Sequence, residues 1–311
     1  MRGPALTFGA FAAGVAALSA ACSGGAVQID FSRLERPGPS PSVSVSATNV
    51  VHMAVGSMLT PLATSDLYGK LADYLAQRLG RPVEMVQGKT YAETNDLVKS
   101  KEVALALVCT NPYLEGRDDF GMELLVAPEV GGETVYYSLL IVGRDVPAQS
   151  LGDLQNRSFA FADPMSNSGR LAPLYQLALM GRTPDSFFSR TTFTYAHDSS
   201  VRAVASGVVD GAAVDSLVFD YMRHTEPDVV AKVKVIGRWG PFGISPVVVN
   251  PGLDLTLKAE LRSALLGMDE DSAGRDVLRH LGVDRFVVPD DGIYDSVREM
   301  RAFLRARGLG P

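Results

Sequence analysis

The stretch Phe159-Ala-Phe-Ala-Asp163-Pro-Met-Ser166-Asn167-Ser168-Gly169 reads as a buried strand that breaks at Asp163-Pro164 and reopens as a helix. Residues 158–162 form the apolar strand, and residues 171–180 carry the helical pattern up to Gly181. Proline disfavours helical backbone at the residue before it, so the chain turns there before the helix can start. Ser166, Asn167 and Ser168 then stand where backbone N–H groups lack intrahelical partners and the helix dipole is positive. Hydroxyl groups beside free amides suit an anion. The same residue types are the preferred caps of any helix, so capping and anion binding are both open at this point.

Working outward, the same strand-to-helix step repeats on either side. Before it come an apolar strand at 50–55, a helix from about Asp66 to a stop at Gly80, a strand at 83–86, a helix at 91–100 and a strand at 103–109. Two longer strands follow at 123–127 and 134–142, and a short helix at 151–154. After it come strands at 191–195 and 211–214, each leading into a helix, then a strand at 233–236, a loop holding Trp239 and a strand at 246–249. Only helical patterns are expected beyond: 255–266, 272–281 and 293–304. Such alternation defines an α/β fold with mostly parallel sheets. Two similar units in tandem imply two lobes, and a helical tail returning to the first lobe gives two crossings, placed near 142–146 and 243–247. The expected division is 50–143 plus 246–311 for lobe 1 and 144–245 for lobe 2, with a hinge suited to ligand capture.

The 311 residues carry a formal net charge of -6, which argues against a partner with a phosphate backbone, since nucleic-acid binders present a basic face. Residues 5–21 form an apolar run behind Met1-Arg2 and end in small residues, the layout of an export signal (1–21). Leu18-Ser19-Ala20-Ala21-Cys22 resembles a lipoprotein cleavage site, with the aliphatic residue one place further from the cysteine than is usual. Cys22 is the expected lipidation site, 22–49 a Pro-, Gly- and Ser-rich tether, and 27–31 a segment that could pack on the folded body. With Cys22 acylated, Cys109 has no disulfide partner and is expected as a buried, inert thiol.

Enzyme signatures are missing. Gly88-Lys89-Thr90 ends like a Walker loop, but Val83 stands where its first glycine is needed. Neither Gly-x-Gly-x-x-Gly after a strand nor Gly-x-Ser-x-Gly occurs. The histidines, His52, His197, His224 and His280, have neither helical pairing nor an adjacent cysteine, so no metal site is expected, and nothing calls for a cofactor. His197 is different in its setting. Tyr195-Ala-His197-Asp-Ser-Ser200 joins a strand to a helix and places the imidazole at the carboxyl end of the strand, where α/β folds hold ligands. A surface loop histidine is the plain alternative.

Together these segments resemble the phosphate/phosphite/phosphonate-binding family of ABC-transporter solute-binding proteins, over about residues 50–304. The likeness is most specific in four places: the helix with Tyr91, the strand Tyr136-Tyr-Ser-Leu-Leu-Ile-Val142, the run Asp163-Pro-Met-Ser-Asn-Ser-Gly-Arg-Leu-Ala-Pro173, and the turn Ala196-His197-Asp198. The resemblance implies a two-lobed periplasmic-binding-protein fold of type 2, a small oxyanion in the cleft, an ABC permease and ATPase as partners, and no catalysis. It further implies a monomer held outside the cell at the membrane by lipid. Its ligand contacts fall on Tyr91 and Tyr136, assigned to the first lobe, and on Ser166, Asn167, Ser168 and His197 of the second. Members that bind aminoalkyl phosphonates supply carboxylates where Leu217 and Ser245 stand here, so Asp215 is a secondary candidate for that role, with helix capping as its alternative. Where the family has an aromatic followed by Gly, this chain reads Cys109-Thr-Asn-Pro-Tyr113, making Tyr113 a further secondary candidate. Two rival functions remain, the same clamp as a sensor for a receptor kinase and a secreted hydrolase using His197 with a serine.

Overall fold

The computed structural model describes residues 50–310; the expected signal, Cys22, the tether and the 27–31 segment lie outside the described residues. The chain runs β1 (Val51–Val55), α1 (Pro61–Leu79), β2 (Val83–Gln87), α2 (Tyr91–Lys99), β3 (Leu105–Leu107), α3 (Thr110–Phe120) and β4 (Glu123–Glu129). It then crosses to β5 (Val135–Gly143), β6 (Ser158–Phe161), α4 (Ala172–Leu179), α5 (Pro184–Phe187), β7 (Arg190–Phe193), α6 (His197–Ala205), β8 (Gly211–Asp215), α7 (Ser216–Thr225), α8 (Pro227–Val230) and β9 (Val233–Gly243). It returns through β10 (Val247–Val249), α9 (Leu255–Leu266), α10 (Ser272–Leu281), β11 (Arg285–Val287) and α11 (Asp295–Arg305).

The strands form two sheets, a six-stranded one ordered β11-β4-β10-β3-β1-β2 and a five-stranded one ordered β7-β6-β8-β5-β9. Each has a parallel core, β2-β1-β3 in one and β7-β6-β8 in the other, extended by an antiparallel strand at the crossing. Strands covered on both faces read as continuous apolar runs, and β8 is buried at all five positions. Helix α1 buries Leu67, Leu71, Tyr74 and Leu75 along one face and stops at Gly80, whose φ of 63° suits glycine. Each buried leucine contributes about 1.5–3 kcal/mol of transfer free energy.

Several features depart from the sequence reading. Helix α1 starts at Pro61 rather than Asp66, because proline fits the first helical turn. The first crossing is at 130–134, not at 142–146: β5 pairs with β8 and β9, so Tyr136 belongs to the second lobe. Trp239 lies inside the long strand β9 instead of a loop, and opposes Ser138 of β5. Residues 285–287 form a strand on the edge of the first sheet, paired with β4, within a tail read as wholly helical. The chain passes back to the six-stranded sheet at 244–246, between β9 and β10.

The tail also does more than close the first lobe. Helices α9 and α10 pack on α1, but α11 touches α3 on one side and α4 and β9 on the other. Arg301, 4% exposed, pairs with Glu115 and Asp118 of α3 at 3.2 and 2.9 Å, while Phe303 stacks edge-on against Tyr175 of α4. Helix α11 is thus a third tie between the lobes, beside the two crossings.

Candidate functional site

Where the lobes meet, helix entrances from both sides converge. The second-lobe set begins with Ser166, whose Oγ accepts from the Gly169 N–H at 3.0 Å and caps a π-helical turn, Asn167–Leu171, that leads into α4. Ser138 of β5 holds this turn down by donating to the Ser168 carbonyl at 2.6 Å. Tyr195 takes a left-handed φ of 59°, which turns the chain so that α6 starts on His197. Ser166 Oγ and His197 Nε2 are 3.4 Å apart.

The hydrogen bonds fix the histidine tautomer. His197 Nδ1 accepts from the Asp215 backbone N–H at 3.2 Å, so the ring proton sits on Nε2, on the side of Ser166. Full burial pushes the imidazole down to about 4, against the opposing pull of Asp198. The ring is therefore a neutral donor at physiological pH. Removing an ion from water outweighs the nearby carboxylate.

Tyr91, Tyr136, Asn167 and Ser168 complete the cluster, each 1% exposed or less. Asn167 Nδ2 donates to Tyr136 Oη at 2.9 Å. Among the described residues, Tyr91 Oη, Ser168 Oγ and Asn167 Oδ1 are buried with no hydrogen-bond partner. Such groups are rare in native proteins, because each costs about 1–3 kcal/mol of desolvation. Cys109, absent from the sequence-level site, stands just before α3 without a side-chain capping bond, and its sulfur lies 3.8 Å from Tyr136 Oη; burial raises the thiol to about 11, an inert state. Tyr91, Tyr136, Cys109 and Asp215 lie close enough to perturb one another's ionisation.

The secondary candidates fare differently. Asp215 caps α7, with Oδ1 accepting from the Leu217 and Val218 amides at 2.7 and 3.4 Å, yet it also borders the cluster. Tyr113 does not join it: one turn into α3 it faces the tail, donating to Asp291 at 2.8 Å and packing on Tyr294.

Sequence reasoning missed two carboxylates that cross between lobes. Asp163 Oδ2 accepts from the Tyr91 N–H at 3.2 Å, capping α2 from the opposite lobe, while its Oδ1 takes the Met165 N–H at 2.7 Å. Asp198, 1% exposed, accepts from Thr60 N at 3.1 Å and Thr60 Oγ1 at 2.7 Å, capping α1, which has no acidic residue in its first turn. His197 N–H to the Met58 carbonyl (2.9 Å) and Asn111 Nδ2 to the Met165 carbonyl (2.8 Å) add two further bridges. The signal was present in sequence, since each aspartate is next to or near a site residue, but only the partner lobe shows what it caps. Asp198→Ala should therefore loosen the closed arrangement by about 1–3 kcal/mol, read as an increased radius of gyration in small-angle scattering. An unchanged radius would show that Asp198 has no part in closure.

Two lobes joined by two crossings, closed over a buried polar cluster, define a periplasmic binding protein of type 2. Residues 53–294 match the family described as ABC transporter, phosphonate, periplasmic substrate-binding protein, and the chain belongs to that family. It is 28% identical over 182 residues to the phosphonates-binding periplasmic protein of Escherichia coli K12, a match covering 57% of this chain and 54% of that one. The chain thus spans about half the length of the curated relatives it matches. A binding protein component of an ABC phosphonate transporter from Pseudomonas aeruginosa superposes with a TM-score of 0.78 at 24% identity, over 82% of this chain and 86% of that one. PhnD1 from Prochlorococcus marinus, solved with methylphosphonate, gives 0.75 at 18% identity over 84% and 99%.

Proposed function

We propose that this chain captures a small phosphorus oxyanion, phosphate, phosphite or an alkyl phosphonate, between its lobes and delivers it to an ABC importer. The observation that carries this reading is the set of buried donors without protein partners, the hydroxyls of Tyr91 and Ser168, beside the neutral Nε2–H of His197. Ser166 has a hydroxyl proton left to give, because its oxygen already accepts from Gly169. None of these side chains carries a fixed positive charge, so the anion is held by directed hydrogen bonds and helix dipoles. The methylphosphonate bound to the Prochlorococcus protein and the name of the Escherichia coli relative point to the same ligand class.

Nothing in this cluster activates a serine: His197 Nδ1 is engaged by an amide and its Nε2 carries a proton, so it cannot act as a base toward Ser166. The clamp binds without chemistry. Lobe 1 comprises the six-stranded sheet with its helices and lobe 2 the five-stranded sheet; a lipid on Cys22 keeps the clamp outside the cell near its permease. Titration calorimetry against phosphate, phosphite, methylphosphonate and sulfate tests the proposal. One of the three phosphorus anions should bind in a one-to-one complex, and binding of none of them would refute it.

A further inference from the structure

Asp163 stands in a costly place. It is 1% exposed and caps α2 from the opposite lobe through the Tyr91 N–H, and the hydroxyl of that same Tyr91 is one of the buried donors left for the anion. Closing the clamp therefore brings a charged ligand into the buried neighbourhood of a carboxylate. Two negative charges in such surroundings repel strongly unless a third charge offsets one of them.

Cations around the cluster are few. His197 is neutral. Arg202 is spent on Asp198 and Glu226, at 3.0 and 2.6 Å. Lys89, two residues before Tyr91, has Glu93 in the same turn, whose carboxylate accepts the Lys89 backbone N–H at 2.7 Å. Arg170 is the exception. It sits half-buried in the π-helical turn that carries Asn167 and Ser168, and among the described residues it forms no salt bridge. Its Nη1 donates to the Pro164 carbonyl at 2.7 Å, and its guanidinium lies 5.9 Å from the centre of the Phe193 ring, which folds the charge back over the Asp163-Pro164 break. Burial pushes the Asp163 carboxyl up; the Met165 and Tyr91 amides pull it back, and Arg170 adds its charge to theirs.

We propose that Arg170 is the counter-charge of the clamp: set in the anion-holding turn, it offsets Asp163, so that this carboxylate can tie the lobes together while a second negative charge enters beside it. This rests on the reading of the cleft as a phosphorus-oxyanion site and adds a positioning residue that acts through its charge. The guanidinium keeps its proton at every physiological pH, so its effect answers to salt. With Arg170 in place the local charges cancel. Without it, Asp163 and the chain's formal net charge of -6 both oppose an incoming anion, most strongly where salt is low.

The experiment measures methylphosphonate binding to the full chain at low and high salt, by calorimetry and by stopped-flow fluorescence. Trp239, the sole tryptophan of the chain, is the reporter, since it opposes Ser138, whose hydroxyl holds the Ser168 carbonyl. Arg170→Gln should weaken affinity about three- to tenfold at low salt, and its deficit in association rate should shrink to within about twofold at high salt. Arg170→Lys, which keeps the charge but not the fork, should associate at close to the wild-type rate. Asp163→Asn combined with Arg170→Gln should lose less than the product of the two single losses, because nothing remains to offset; Arg170→Met replaces the glutamine variant should that one not fold. Wild-type rates and affinity in Arg170→Gln, a lysine variant as defective as the glutamine one, or single losses that simply multiply would each overturn the counter-charge while leaving the oxyanion site standing. Failure of every phosphorus anion to bind the wild type sinks the functional reading itself.

Discussion

Replacing His197 with alanine should weaken methylphosphonate binding by roughly ten- to a hundredfold. The ring is buried, its tautomer is fixed by the Asp215 amide, and its Nε2–H lies 3.4 Å from Ser166 Oγ in a cluster with no fixed cation. Removing a donor to a charged ligand in such surroundings costs about 1.5–3 kcal/mol directly. The Asp215 N–H would lose its acceptor as well, a penalty of about 1–3 kcal/mol that falls on the stability of free and bound forms alike rather than on affinity. The backbone N–H of residue 197 still donates to the Met58 carbonyl after the change, so one tie between the lobes survives and the loss reports on the side chain. Isothermal titration of the two proteins gives the ratio; equal affinities would remove His197 from the binding site.

How much of this could be seen in the chain alone follows from which signals are local. The strand-turn-helix at 158–180 was legible because Asp163-Pro164 breaks one pattern and the Ser-Asn-Ser run starts the next, and the proximity of Ser166 to His197 followed from two adjacent strands ending at the same edge. The membership of β5 was not legible: residues 135–143 are apolar enough to suit either sheet, and only pairing with β8 and β9 decides between them. The strand at Arg285–Val287 has three residues, too short to show a period of two. Helix α3 was hidden behind Cys109-Thr-Asn-Pro, which reads as the end of a strand, although proline is at home in a helix's first turn. Asp163 and Asp198 carry no local signal of their role, because the helix each one caps belongs to the other lobe. Local chemistry thus revealed the donors, while the acceptors that hold the lobes together depend on contacts across more than seventy residues of chain.

Gly169→Ala is expected to abolish measurable binding and to lower the melting temperature together. A Cβ placed on Gly169 would lie 2.4 Å from the Ala162 Cβ, 2.9 Å from His197 Cε1 and 3.0 Å from Ser166 Oγ. The first of these neighbours is a methyl on rigid backbone, tied to the same turn by the Ala162 N–H to Gly169 carbonyl hydrogen bond, so it cannot swing aside. Relief must come from moving the π-helical turn, and that separates Ser166 from His197 and tilts the Ser168 hydroxyl. Overpacking of this kind costs about 1–3 kcal/mol, or roughly 2–4 °C of melting temperature for each kcal/mol in a chain of this size. Gly69, in the middle of α1, is the matched control, since a Cβ there meets nothing within 4 Å. Gly69→Ala should raise stability by about 0.5–1 kcal/mol, the usual difference between glycine and alanine in a helix, and leave affinity unchanged. Thermal denaturation with and without methylphosphonate reads both quantities at once: the Gly69 variant should keep the full ligand-induced shift and the Gly169 variant should show none. A normal shift in the Gly169 variant would mean that the turn tolerates a methyl group and that its close packing against His197 does not govern the site.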